Sequence, residues 1–252
     1  MKLLSYKIKG TQTHQIGVLK LEKIYNLNCL FGDITLIEVF QIDNFKSKIN
    51  YYVNSENAIT HSVKNIIFLP PIPNPNSFRD AYAFKEHVET CRKNRGAKMI
   101  SEFERFPVFY FSNHNSMYAH NENIELMPDH FNCLDYELEI AVIIGVGGKN
   151  ILSKDAENHI AGFCILNDIS ARTLQMEEMK LNLGPAKGKD FANVIGPYIV
   201  TPEELEEKAH NTKFGKKYNL KMQCYVNGKL LSEGNAKSMH WTFAEIIERA
   251  SY

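Results

Sequence analysis

The stretch LDYELEIAVIIGVGG, residues 134–148, constrains the fold most. The run from Ile140 to Val146 reads as a buried strand with a glycine stop behind it. Glu137 and Glu139 stand at its front. Side chains two apart on a strand point the same way, so both carboxylates share one face beside an apolar core. Like charges placed there repel, and burial raises the cost. Either that strand end is wetter than it looks, or something positive sits between the two carboxylates.

Other segments fix the class around this strand. Over residues 1–70, LLSYKI, IGVLKL, ITLIEVF and KINYYV alternate apolar runs with polar breaks and read as short strands. Pro70, Pro71, Pro73 and Pro75 make residues 70–77 a stiff, extended connector. The expected division is a small N-terminal β domain at 1–70 and a larger domain at 71–252. Beyond the connector, AYAFKEHVETCRKNRG reads as a helix stopped by Gly96, PVFYFSN as a strand, and ENIELMP as a short strand or turn. IAGFCILND reads as a second apolar strand, ISARTLQMEEMKL as a helix and KDFANVIGPYIV as extended chain. NLKMQCYVNGKLL reads as a hairpin turned at Asn227-Gly228, and WTFAEIIERASY as a helix starting near Thr242. The fold class is α+β and β-rich.

Charge narrows the function classes. The 29 basic and 29 acidic residues balance, and no basic stripe marks a nucleic-acid partner. The basic cluster KFGKK at 213–217 reads as a solvated loop. Cys29, Cys91, Cys133, Cys164 and Cys224 show no CxxC spacing, as expected of unbridged thiols in a reducing compartment. No run approaches the roughly 20 apolar residues of a membrane span, and MKLLSYKIKG does not read as a signal peptide. A cytoplasmic protein with no membrane partner is expected.

A third carboxylate, Asp168, follows the apolar strand in GFCILNDISARTLQ and precedes a helix. It reads either as a helix N-cap or as a group that converges with Glu137 and Glu139 if the two strands are neighbours. Three oxygen ligands without Cys or paired His suit a hard divalent cation such as Mg²⁺, with Ca²⁺ and Mn²⁺ as alternatives. The nine histidines show no HExxH spacing. Asp80 opens the helix expected after the proline connector, and His87, seven residues on, falls on the same face of it.

In order along the chain, FRDAYAFKEH, DYELEIAVIIG, GFCILNDISARTLQ and LGPAKGKDF resemble the fumarylacetoacetate hydrolase family, from about Ile67 to the end. The N-terminal region is similar more weakly. The resemblance implies a mixed β-rich roll or barrel with short helices, a smaller β domain before it, and a homodimer. It implies a divalent cation, Mg²⁺ or in some members Ca²⁺ or Mn²⁺, held by Asp80, Glu137, Glu139 and Asp168. It implies His87 as catalytic histidine and Lys189 as a catalytic lysine beside the metal region. Tyr82, Arg95 and Gln175 would contact a small 2-oxo or 1,3-dicarbonyl acid. The implied reaction is hydrolysis of a C–C bond in fumarylacetoacetate- or acylpyruvate-like substrates. Decarboxylation, isomerisation and sugar-acid dehydration are alternatives within the family. The family pattern continues into L-x-P-G-D-x-I-x-T-G-T-P, ahead of which this sequence stops at Tyr252. The alternative to an enzyme is a catalytically impaired short form that lacks that stretch and acts as a binding or structural protein.

Overall fold

Leu3, Leu4, Ser5 and Tyr6 are consecutive and all buried, so the first strand of the chain is covered on both faces and must lie inside a sheet. The computed structural model, which describes residues 1–94, 96–126, 132–182 and 184–252, shows how. The strand Lys2–Ile8 is flanked by His14–Lys20 and by Asn193–Val200, both antiparallel, with Leu3 opposite Ile199 on one side and Val18 on the other. The sheet continues outward in the order Leu138–Ile144, Ile160–Asp168, Asn193–Val200, Lys2–Ile8, His14–Lys20, Lys23–Asn26 and Thr60–Ser62. Strands from both sides of residue 70 therefore share it. Leu4, Tyr6, Ile24 and Ile66 form one buried cluster of its core.

The chain divides into two units. The first joins Met1–Asn76, Asn113–Val146 and Ala161–Glu204 and contains this sheet; the second joins Ser77–Ser112, Gly147–Ile160 and Leu205–Tyr252. In the second, Phe78–Ala81 pairs with Phe109–Ser112, Ala209–Thr212 with Gly215–Tyr218, and Lys221–Val226 with Lys229–Asn235. Its C-terminal helix, Phe243–Ala250, opens on a capping box between Thr242 and Glu245. The helix buries Ala244 and Ile247 against Ile151 and Ala156. Among the described residues no helix is long and apolar enough to cross a membrane.

Three sequence expectations are corrected here. ITLIEVF contains the helical turn Leu36–Val39, because Thr35 and Glu38 form a capping box that closes it. KINYYV belongs to the helix Phe45–Val53, where Ile49 and Tyr52, three apart, supply one buried stripe. Most of KFGKK is the strand Gly215–Tyr218 rather than a loop, and Lys216 is held by Glu206 at 2.8 Å.

Close strand packing at one glycine yields a stability prediction. A Cβ on Gly162 would lie 2.4 Å from the Val200 carbonyl oxygen and 2.5 Å from Ile199 Cγ2. Gly162→Ala must part the Ile160–Asp168 and Asn193–Val200 strands, and is expected to cost about 1–3 kcal/mol. Urea unfolding should show a lower midpoint at unchanged slope.

Candidate functional site

In the first unit, positive charge meets the Glu-x-Glu strand at Glu137. Glu137 precedes the Leu138–Ile144 strand, Asp168 ends the Ile160–Asp168 strand, and the two strands are neighbours. The Asp168 N–H donates to the Glu137 carbonyl at 3.3 Å, and the Glu137 N–H donates to Asn167 Oδ1 at 3.3 Å. A carboxylate oxygen of Glu137 and one of Asp168 lie within 4.8 Å of each other. Lys189 is inserted against both, with Nζ 2.5 Å from Glu137 Oε2 and 2.7 Å from Asp168 Oδ2. The Lys189 side chain is 4 % exposed and that of Asp168 0 %, so this is an ion pair taken out of water.

Arg172 holds the opposite edge of Glu137. Its Nη1 lies 2.8 Å from Glu137 Oε1, and its Nε and Nη2 lie 2.8 Å from Asp135 Oδ2. Burial opposes the Arg172 charge, but the carboxylates of Glu137 and Asp135 more than offset this and hold its pKa above the ordinary value. Arg172 Nη1 also donates to Gln175 Oε1 at 3.1 Å, one turn along the helix Arg172–Met179. The structure thus brings together four of the predicted residues or their direct partners: Glu137, Asp168, Lys189 and, through Arg172, Gln175. Glu139 is half-buried two residues along from Glu137 and lies outside the Glu137–Asp168 oxygen group. Asp168 is not a helix cap; that place belongs to Ala171.

The donor set suits a hard cation. It is made of oxygen, three carboxylates face two cations, and the cluster stays net negative. Asn193 lies opposite Asp168 in the strand register and is fully buried. Its Oδ1 has no hydrogen-bond partner among the described residues, an acceptor whose burial is costly until a donor reaches it. An ion that keeps part of its water fits such surroundings.

The remaining predicted residues belong to the second unit. Asp80 lies on the strand Phe78–Ala81, opposite Tyr110, whose hydroxyl donates to Asp80 Oδ2 at 3.1 Å. The helix begins only at Lys85, so Asp80 does not share a helical face with His87. Pairing with Phe109–Ser112, with Arg79 stacked over Phe111 at 4.6 Å, holds this segment extended. The Tyr82 and His87 rings meet edge to face at 6.4 Å, and His87 Nε2 lies 3.4 Å from Cys91 Sγ one turn on. Arg95 falls outside the described residues.

Sequence reasoning missed Arg172, Asp135 and Asn193. For Arg172 a signal is present: it lies four residues after Asp168 and three before Gln175, and the paired glutamates require a cation.

Residues 76–252 match the model of the fumarylacetoacetate (FAA) hydrolase C-terminal family. The chain is 26 % identical over 248 residues to the oxaloacetate tautomerase YisK of Bacillus subtilis, covering 97 % of this chain and 76 % of that one. It is 28 % identical over 182 residues to the human mitochondrial oxaloacetate tautomerase FAHD2A, covering 72 % and 52 %. Among solved structures, it resembles maleylpyruvate hydrolase from Sphingobium sp. SYK-6 in complex with manganese(II) and pyruvate, with TM-score 0.75 at 17 % identity, covering 100 % and 83 %. It also resembles the fumarylacetoacetate hydrolase of Exiguobacterium antarcticum, with TM-score 0.72 at 23 % identity, covering 100 % and 81 %. With its β-rich mixed fold and this match over most of its length, the chain belongs to the fumarylacetoacetate hydrolase family.

Proposed function

We propose that this protein is a divalent-cation-dependent enzyme that moves a proton next to the carbonyl of a small 2-oxo acid, interconverting its enol and keto forms. One observation carries the reading: a lysine buried between two carboxylates, at the junction of neighbouring strands. Two relatives named for oxaloacetate tautomerisation support it. Glu137 and Asp168 would hold the ion, with Asp80 and Glu139 as the further ligands the resemblance assigns. Mg²⁺ and Mn²⁺ are the fitting choices.

When bound, the cation supplies Lewis-acid polarisation of the 2-oxo group. The protein's own residues do the rest. Arg172 fixes Glu137 from the side away from Lys189, so the carboxylate cannot rotate. The Lys189 ammonium offsets the charge of both acids and offers a donor to an oxygen that becomes negative as the proton leaves. Gln175, tied to Arg172, orients the acid end of the substrate. In the role that the resemblance assigns to it, His87 would take the proton from the enol oxygen and return one to carbon.

The second reading is C–C hydrolysis of an acylpyruvate, in which His87 activates water. It is favoured by the aromatic and thiol contacts that orient the imidazole. A homodimer in the cytoplasm belongs to both readings.

One experiment separates them. The purified protein is assayed on enol-oxaloacetate and on an acylpyruvate, with Mg²⁺, with Mn²⁺ and with chelator, alongside His87→Ala. Metal-dependent ketonisation, lowered about 10²–10⁴-fold in His87→Ala, supports the first reading. Cleavage of the acylpyruvate supports the second. Absence of both reactions with either metal would remove the enzymatic reading and leave a binding role.

A further inference from the structure

Besides Arg172 and Gln175, the helix Arg172–Met179 carries Glu178 near its C-terminal end. Glu178 Oε1 accepts from the Lys187 N–H at 2.8 Å, and Glu178 Oε2 accepts from the Gly188 N–H at 3.1 Å. Each oxygen of one carboxylate thus takes one of two consecutive backbone donors, a charge-assisted arrangement stronger than neutral hydrogen bonds. The next residue is Lys189.

Two further features press this loop onto the helix, and a third closes the loop's own turn. The Ala171 N–H donates to the Gly188 carbonyl at 2.9 Å, and the Lys189 N–H donates to the Ala186 carbonyl at 3.0 Å. Gly188 itself lies so close to the helix that a Cβ there would meet Gln175 N at 2.8 Å and Gln175 Cα at 2.9 Å. One helix therefore carries Arg172 and Gln175 and also grips the backbone immediately before Lys189. The long lysine side chain has many rotamers, and its Nζ reaches two buried carboxylates only from a fixed starting point.

We propose that Glu178, with Gly188 as its close-packed seat, is a positioning residue: it latches the 186–188 backbone so that Lys189 Nζ stays between Glu137 and Asp168. The inference rests on the role of Lys189 in the proposed function. Glu178 acts through the backbone and touches neither substrate nor ion.

The test combines amide exchange with a double-mutant cycle on the intact protein. In Glu178→Ala, hydrogen exchange at the Lys187 and Gly188 amides should accelerate about tenfold or more, because both lose their acceptor. On the substrate turned over by the wild type, kcat should fall about ten- to a hundredfold, the cost of a misplacement of about an ångström, with KM little changed. In a Lys189→Ala background the same substitution should change kcat less than about twofold, because the group it positions is gone. Glu178→Gln keeps one acceptor oxygen and should recover part of both losses, which guards against a folding defect in the alanine variant. Gly188→Ala should reproduce the exchange result. Unchanged amide exchange would overturn the latch, and a full kcat loss persisting in Lys189→Ala would overturn its action through Lys189. Unaltered turnover in Lys189→Ala alone would overturn the proposed role of Lys189 and the functional half of this inference with it, while exchange still decides on the latch.

Discussion

Lys189→Met is expected to destabilise the protein by about 3–5 kcal/mol, the cost of removing one partner from a buried ion pair. Asp168 is completely buried and meets Lys189 Nζ at 2.7 Å. Methionine matches the aliphatic length of lysine, so packing is kept and the loss is electrostatic. The two acids do not suffer equally. Glu137 keeps Arg172 on Oε1 at 2.8 Å and is 17 % exposed, so Asp168 bears most of the penalty. Adding Asp168→Asn should therefore return much of the stability, since a neutral amide needs no counter-ion. Urea unfolding of wild type, the single variants and the double variant measures this. A Lys189→Met midpoint equal to that of wild type would show that Lys189 does not compensate Asp168. A double variant no more stable than Lys189→Met would show that the cost is packing.

That buried pair is half legible in the sequence. The paired glutamates before one apolar strand call for a wet strand end or a positive group, and Asp168 reads as the end of another apolar strand. Both follow from strand periodicity, which is local. Local signals also serve the hairpin at Asn227-Gly228, where both residues have positive φ, 51° and 78°, the turn that this dipeptide favours. Identifying the cation requires contacts across 21 residues for Lys189 and 35 for Arg172. Periodicity carries no information over that range, and Lys189 enters only through the family resemblance. Sequence reasoning fails where a short apolar run suits helix and strand alike. ITLIEVF has the composition of a strand, although its Thr-x-x-Glu spacing is a capping box. Asp80 reads as helical because the pairing of Phe78–Ala81 with Phe109–Ser112 spans a gap that no local pattern bridges.

Glu137→Gln should weaken Mn²⁺ binding by roughly 100-fold or more, beyond the range typical of outer-shell substitutions. Two effects act together. The ion loses an anionic oxygen, and the new amide turns N–H donors toward Lys189 or Arg172, which are donors themselves. Repulsion between them should displace one cation and loosen the neighbouring Asp168 as well. Free Mn²⁺ read by electron paramagnetic resonance gives the affinity without reference to any substrate. Glu139→Gln in the same titration ranks the second glutamate. Its carboxylate lies outside the oxygen group formed by Glu137 and Asp168, so its loss should weaken binding less than that of Glu137. Wild-type affinity in Glu137→Gln would remove the metal from this site. Equal losses in both variants would mean that the ion, once bound, draws Glu139 in beside Glu137, as two side chains on one face of a strand end permit.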